Sequence, residues 1–472
     1  MMLSMGVHYN SYSAPHELEG DSPVTPRDRM RHWKTCAAWC LIRGKFNQPS
    51  MMTLRAFLLY VESDFIHNRA AQMDCYILSG VLIRLMFKMG LHRDPGKLAS
   101  VTPYEGEMRR RMWNMAIQVE TLVSFHMGLP SMFYSFESDT EVPRNLRDED
   151  FDEDSKELPP ARPDTDWTSI TYPTHKTKII RVFSKIAAQS HALTPPTFAD
   201  VQRLGRELDD VWSRIPAFMK VRPLSETVGD PSTLLIQRFG LSALYSKTTC
   251  VLHRRYLAEP VPQRQHDVSR QKCLNAAVTL LRNQAIIWEA SQPGHRLADQ
   301  GWFITSLAVH DYLLAAMVLY LIVQNDHYEN PESEYNWTSS EQPAPSKKEL
   351  KDMIRGSYEI WSHVAEGATE LKKTAETLAV MLARLGSPVD GPREWTSENR
   401  TVSPVPQTVD SGHFSMTNSS AGPQATATEF GSNSEALSFN NFNGMLIKPH
   451  STHVRSVFRA VADKTSQVSV RT

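Results

Sequence analysis

Apolar residues recur every third or fourth position over most of the chain up to about residue 386, the spacing that gives a helix one buried face. The pattern is cleanest from Gln72 to Met89. There Met73, Ile77, Val81, Leu85 and Met89 form one stripe, Leu78, Leu82 and Met86 lie beside it, and Gly90 ends it. The first predicted helix starts at Thr25, with Pro26 in the first helical position and Asp28 in the first turn. Met30, Trp33, Ala37, Cys40 and Leu41 then repeat at helical spacing as far as Gly44. A second helix spans about Thr53 to His67. Thr102-Pro103-Tyr104-Glu105 reads as a capping box opening a fourth. Along it, Met108, Met112, Met115, Val119, Leu122 and His126 make a seam suited to packing on another helix.

From Leu129 to Pro173 the period stops. Pro130, Pro143, Pro159, Pro160, Pro163 and Pro173 make this an irregular crossing, pinned by Phe133, Phe136, Leu146, Phe151, Leu158 and Trp167. Helical spacing returns over about His175 to His191, Phe198 to Arg214, Pro231 to Leu257, His266 to Ala290, Ala298 to Gln324, and Lys347 to Leu385 in one or two pieces. No strand run or βαβ pattern is evident, so the expected fold is all-α: a large multi-helix domain with one long irregular loop. Beyond Gly386, Ser, Thr, Asn, Pro and Gly predominate, with too little apolar surface to offset chain entropy. The expected organisation is a disordered N-terminus over 1–24, a helical domain over 25–386 and a disordered low-complexity tail over 387–472.

With 41% apolar and 22% charged residues, the composition is that of a globular protein. A net charge of -1 from 51 basic and 52 acidic residues argues against nucleic-acid affinity by bulk electrostatics. Ile304 to Val323 is long enough to cross a bilayer at ~1.5 Å per residue. His310 and Asp311 lie inside it, and its flanks lack positive anchors, so a buried core helix is expected and no membrane association. Five cysteines, Cys36, Cys40, Cys75, Cys250 and Cys273, are too few and too scattered for a disulfide framework or zinc site, and read as buried thiols. The first residues do not form a secretory signal, which predicts a protein that stays inside the cell.

Several segments combine into a recognisable whole. Met89-Gly90-Leu91-His92-Arg93-Asp94-Pro95, the helix from Glu107-Met108-Arg109-Arg110-Arg111-Met112-Trp113 to Gly128-Leu129-Pro130, Asp139-Thr140 to Pro143-Arg144-Asn145-Leu146, and the acidic run Asp148 to Asp154 resemble the middle regulatory region of fungal-specific transcription factors. The resemblance covers roughly Thr25 to Gly386. Such factors grip DNA through an N-terminal zinc binuclear cluster of six close cysteines, and this sequence contains no such group. The resemblance implies control of RNA polymerase II transcription in the nucleus, with DNA reached, and zinc bound, only through a cluster missing from this chain. It leaves room for a homo- or heterodimer and for a small-molecule effector. A second reading is a DNA-binding-deficient partner that dimerises with full-length relatives and modulates them. Where the family often has a second tryptophan after the arginines and Gly-Arg-Pro later, this chain has Asn114 and Gly128-Leu129-Pro130.

The candidate chemical motifs read as structure. His92-Arg93-Asp94 mimics a kinase catalytic triplet, but Pro95 follows and neither a Gly-rich loop nor a strand lysine accompanies it. Gly90 in a left-handed conformation and Pro95 instead predict a corner in which Arg93 and Asp94 pair with neighbours. At 100° per residue Arg109, Arg110 and Arg111 diverge, so they form no basic patch; Arg111 is expected to pair with Glu120, Asp94 or Asp139. The run Asp148 to Asp154 fails as a calcium loop, with Glu153 at the sixth position and Pro159 at the twelfth. Cys36 and Cys40 share a helix face without further zinc ligands. His253, His310 and His363, on predicted helices, each read as ordinary core or surface residues. No catalytic or metal-binding residue is assigned, no cofactor-binding residue is identified, and the chain is read as a non-enzyme.

Overall fold

Thr25 accepts a hydrogen bond from the Asp28 amide, Pro26 follows it, and a helix runs from there to Arg43, as the sequence predicts. The computed structural model describes residues 1–67, 72–259, 263–305, 309–329, 344–364 and 369–389, and all regular structure among them is helical. The α-helices are α1 (Met2–Ser13), α2 (Pro15–Glu19), α3 (Pro26–Arg43), α4 (Met51–His67), α5 (Gln72–Lys88), α6 (Pro103–Met127) and α7 (Thr171–Gln189). They continue with α8 (Phe198–Ser213), α9 (Ser232–His253), α10 (Asp267–Ala290), α11 (Trp302–Thr305), α12 (Val309–Gln324), α13 (Lys347–Val364) and α14 (Thr369–Arg384). The predicted tail lies, from residue 390 on, outside the described residues.

Two helices precede the first predicted one. The span 1–24, expected to lack order, contains α1 and α2, and α1 packs on α3, where the Ser4 hydroxyl donates to the Met30 carbonyl at 3.2 Å. Its buried residues are Ser4 and His8. An element that buries small and polar side chains leaves no apolar stripe to read.

At the end of α5, Gly90 takes φ +74° and the Leu91 amide reaches back to the Met86 carbonyl at 3.0 Å, the left-handed stop that its glycine predicts. Leu91 is fully buried at the turn. Helix α6 is the spine. The sequence shows one seam on it, but α6 is buried on nearly every side from Met112 to Ser124 because α4, α5, α7 and the irregular crossing all pack around it.

The buried polar residues of α6 fasten the crossing. Asn114 donates to the carbonyls of Arg110 and Glu141, each at 2.8 Å; Gln118 donates to Pro173 and Thr177; Glu120 accepts from the Ser131 hydroxyl and the Met132 amide, both at 2.6 Å. Leu146 and Phe151 are buried and Phe133, Phe136 and Trp167 pack on the core, whereas Leu158 is half-exposed and outside it. The second half packs α9, α10, α12 and α13 against one another. Tyr312, Ala315, Ala316, Val318 and Leu319 of α12 are fully buried, so the part of the apolar run from Val309 on is a core helix as its sequence suggests, while residues 306–308 of that run lie outside the described residues. No helix among the described residues is long and apolar enough to cross a membrane.

Candidate functional site

Charged and polar side chains from α4, α6, α7, α9 and α12 converge in the interior where both halves of the fold meet. Lys247, on α9 between Ser246 and Thr248, is almost completely buried, and its ammonium donates to Asp311 Oδ1 of α12 at 2.9 Å. It also lies 3.3 Å from His126 Nε2 of α6, and over the rings of Phe125 and Phe183 at 5.2 and 5.3 Å. Burial, with Lys247 and His310 nearby, holds the His126 imidazole well below its usual pKa, so the ring is neutral and its Nε2 accepts from Lys247. The ring of His310 is 4.9 Å away. Burial raises the Asp311 carboxyl, and the ammonium of Lys247 opposes the rise.

Glu62 on α4 and Lys176 on α7 extend this cluster. Burial raises the Glu62 carboxyl, opposed by Lys176. Burial also brings the Lys176 ammonium down to about 8, opposed by Glu62 and Asp311 and assisted by Lys247. Lys176 lies beside the ring of Tyr172, one turn earlier on the same helix. The chemistry available is that of ion pairing and hydrogen bonding to a small polar group. Among the described residues no three or more His, Cys, Asp or Glu side chains gather as metal ligands.

Charges on apolar stripes were the available sequence signal. Lys176 shares the inward face of α7 with Tyr172, Ile179, Ile180 and Phe183, and Asp311 interrupts the longest apolar run in the chain. His310 and His126, each ordinary alone, are neighbours in space. His253 is buried on α9 and His363 is exposed on α13, where its Nδ1 meets the Glu359 carbonyl.

The three arginines diverge, as their angular spacing requires. Arg109 pairs with Glu105, Arg110 with Asp94, and Arg111 with Glu107 and with Asp148 at 2.6 Å. The partners expected for Arg111 are therefore wrong. Asp94 belongs to Arg110, Asp139 takes Lys97 and Arg93, and Glu120 is saturated by donors from the crossing. The acidic run is less solvated than its sequence suggests, since Asp148 holds Arg111 and Asp150 holds Arg162. His92-Arg93-Asp94 is a corner, with Asp94 bound to Arg110 and to the amides of Gly96 and Glu141. Cys75, Cys250 and Cys273 are buried thiols, but Cys36 is half-exposed and Cys40 exposed, because they lie on the outer face of α3 beside the exposed Trp39.

Residues 1–211, which span α1 to α7, most of α8 and the Arg110 corner, match the model of the fungal specific transcription factor domain. The chain carries a fungal specific transcription factor domain. Relatives extend the likeness beyond those residues. It is 33% identical over 384 residues to the Zn(2)-C6 fungal-type transcription factor mpsB of Macrophomina phaseolina (strain MS6), covering 81% of this chain and 51% of that protein. It is 30% identical over 361 residues to the Zn(2)-C6 fungal-type transcription factor pigI of Monascus ruber, covering 76% and 44%. Against the pyrrolocin cluster transcription factor fsdR of Fungal sp. (strain NRRL 50135) it is 28% identical over 382 residues, covering 81% and 50%. The chain thus spans about half the length of the curated relatives it matches. No solved structure matches the fungal specific transcription factor domain of this chain.

Proposed function

We propose that this chain is the regulatory part of a fungal zinc-cluster transcription factor that acts in the nucleus on RNA polymerase II transcription. The domain match over residues 1–211 carries the reading, and mpsB and pigI, named as Zn(2)-C6 factors, support it. The name of fsdR favours target genes grouped in a metabolite cluster. In this reading DNA contact comes from a zinc cluster, and the helical bundle adjusts the output. The chain's net charge of -1 fits a part that does not itself hold DNA.

The test is a fusion of the full chain to a heterologous DNA-binding domain, with a reporter downstream of that domain's operator. Reporter output should change relative to the DNA-binding domain alone, and disruption of the native gene should change transcripts of a neighbouring gene set. Unchanged reporter and unchanged transcripts together would remove the proposal.

A further inference from the structure

The thiols of Cys250 on α9 and Cys273 on α10 face each other across a helix interface. Each sulfur lies 3.8 Å from the backbone carbonyl oxygen of the residue that carries the other. A cysteine sulfur is only two bonds from its own Cα, so this reciprocal contact brings both thiols into the same gap between the two backbones. Both residues are fully buried, and both thiols are free. The helices that carry them are consecutive and pack on each other more extensively than any other pair among the described residues. Buried Arg270 of α10 ties the connection between them, donating to Glu259 at 3.0 Å, to the Gln263 carbonyl at 2.6 Å and to Asp267 at 2.5 Å. The register that opposes the two cysteines is thereby held.

Buried cysteines ordinarily serve as small apolar side chains. Cys75 is such a residue: its sulfur meets the Val61 carbonyl at 3.7 Å and, among the described residues, no second thiol. Two opposed thiols have a further chemistry, because when one is oxidised the other stands ready to trap it. Facing cysteines on closely packed helices also supply the short separation that a disulfide requires. The Cys273 thiol and burial hold the Cys250 thiol well above its usual pKa, opposed by the Arg254 guanidinium one turn on. A neutral buried thiol reacts slowly, so only a small and persistent oxidant reaches it.

We infer that Cys250 and Cys273 form a reversible disulfide when the protein meets hydrogen peroxide. One sulfur attacks the O–O bond and takes one oxygen as a sulfenic acid, while the other oxygen leaves as water. The second sulfur then displaces the sulfenic hydroxyl: the S–S bond forms, the S–O bond breaks, and the hydroxyl departs with the second thiol's proton as water. One peroxide thus removes two electrons from two thiols and yields one disulfide and two waters. Trapping within the pair spares the first sulfur from oxidation to sulfinic acid. Lys247 stands one turn before Cys250 on α9, so the new bond acts beside its pair with Asp311. This chemistry does not rest on the regulatory reading above.

The full chain is treated with hydrogen peroxide in native buffer, its remaining thiols are capped with N-ethylmaleimide in denaturant, and its proteolytic peptides are read by mass spectrometry. The Cys250 and Cys273 peptides should appear joined, lighter by two hydrogen atoms than the separate thiols, and dithiothreitol should release them. Cys75 should be recovered as a capped thiol. Cys273→Ser should abolish the joined peptide and leave Cys250 capped or singly oxidised; melting curves check folding, and Cys273→Ala replaces that variant if it does not fold. Recovery of Cys250 and Cys273 as thiols or sulfinic acids after exposed Cys40 has oxidised would overturn the assignment. So would cross-links to Cys75 in equal yield, the mark of pairing in an unfolded chain.

Discussion

Arg110 meets Asp94 through two parallel hydrogen bonds, Nε to Oδ2 at 2.9 Å and Nη2 to Oδ1 at 2.7 Å, inside the corner that ends α5. The same carboxylate accepts the amides of Gly96 and Glu141, so one side chain ties α6, the turn and the returning crossing together. Both residues are buried. Removing one partner of such a pair strands the other, so Arg110→Ala should cost about 3–5 kcal/mol in urea unfolding. A loss under about 1 kcal/mol would mean that the corner stands without the pair.

The pair also sets an acid sensitivity. Burial alone would raise the Asp94 carboxyl, but the Arg110 guanidinium and the amides of Glu141 and Gly96 outweigh it and bring it down to about 2. A carboxyl with a folded value below its ordinary 3.8 stabilises the fold above that value and ceases to do so as pH falls toward about 2. Stability measured from neutral pH downward should therefore fall less steeply over this window in Asp94→Asn than in the parent. Parallel curves would contradict the assignment.

The interior ion pair of Lys247 and Asp311 invites a double-mutant cycle. Lys247→Met alone should destabilise by about 3–5 kcal/mol because buried Asp311 loses its ion-pair partner. Adding Asp311→Leu should recover most of that loss, since a buried pair can be replaced by apolar groups at little net cost. Additive losses in denaturant titrations would show that the two residues act separately.

Two glycines should respond in opposite directions. Gly90→Ala places a side chain at φ +74° and should cost about 1–2 kcal/mol, although nothing crowds the new methyl. Gly356 lies inside α13 with nothing within 4 Å of an added Cβ, so Gly356→Ala should raise the melting temperature through helix propensity worth about 1 kcal/mol. Thermal melts of both variants decide this.

Thiol chemistry separates the cysteines. Cys36 and Cys40 on α3 should react with an aromatic disulfide reagent in the native protein, whereas Cys75, Cys250 and Cys273 should react only after unfolding. Burial raises the Cys75 thiol above its usual range, which reinforces its inertness. Five rapidly reacting thiols would be the contrary result.

Much of this architecture could be read from residues that act locally. Thr25-Pro26, Gly90 and Thr102-Pro103 each impose their geometry on the next few residues, and all three function as their chemistry predicts, although Thr102 shows only one half of the capping box. The long-range pairings were harder to read. Angular position correctly separated Arg109, Arg110 and Arg111, but which carboxylate lay within reach depended on how the crossing returned over α6. Asn114, where the family often has tryptophan, looks like a mere departure until Glu141 and Arg181 are seen beside it. The interior cluster was least legible, because Glu62, Lys176, Lys247 and Asp311 come from four helices and are ordinary residues until the fold brings them together.

Lys247 and Asp311 both lie past residue 211, where the match to the domain family ends. The helices inside that segment rely on them: Phe125 and Phe183 lie against the Lys247 side chain, and α7 packs along α9. An excision made at the family boundary would therefore cut through a shared interior and expose it to solvent. For expression or domain-swap work, the smallest sensible unit is set by where these helices find their last partners, not by where the domain match stops.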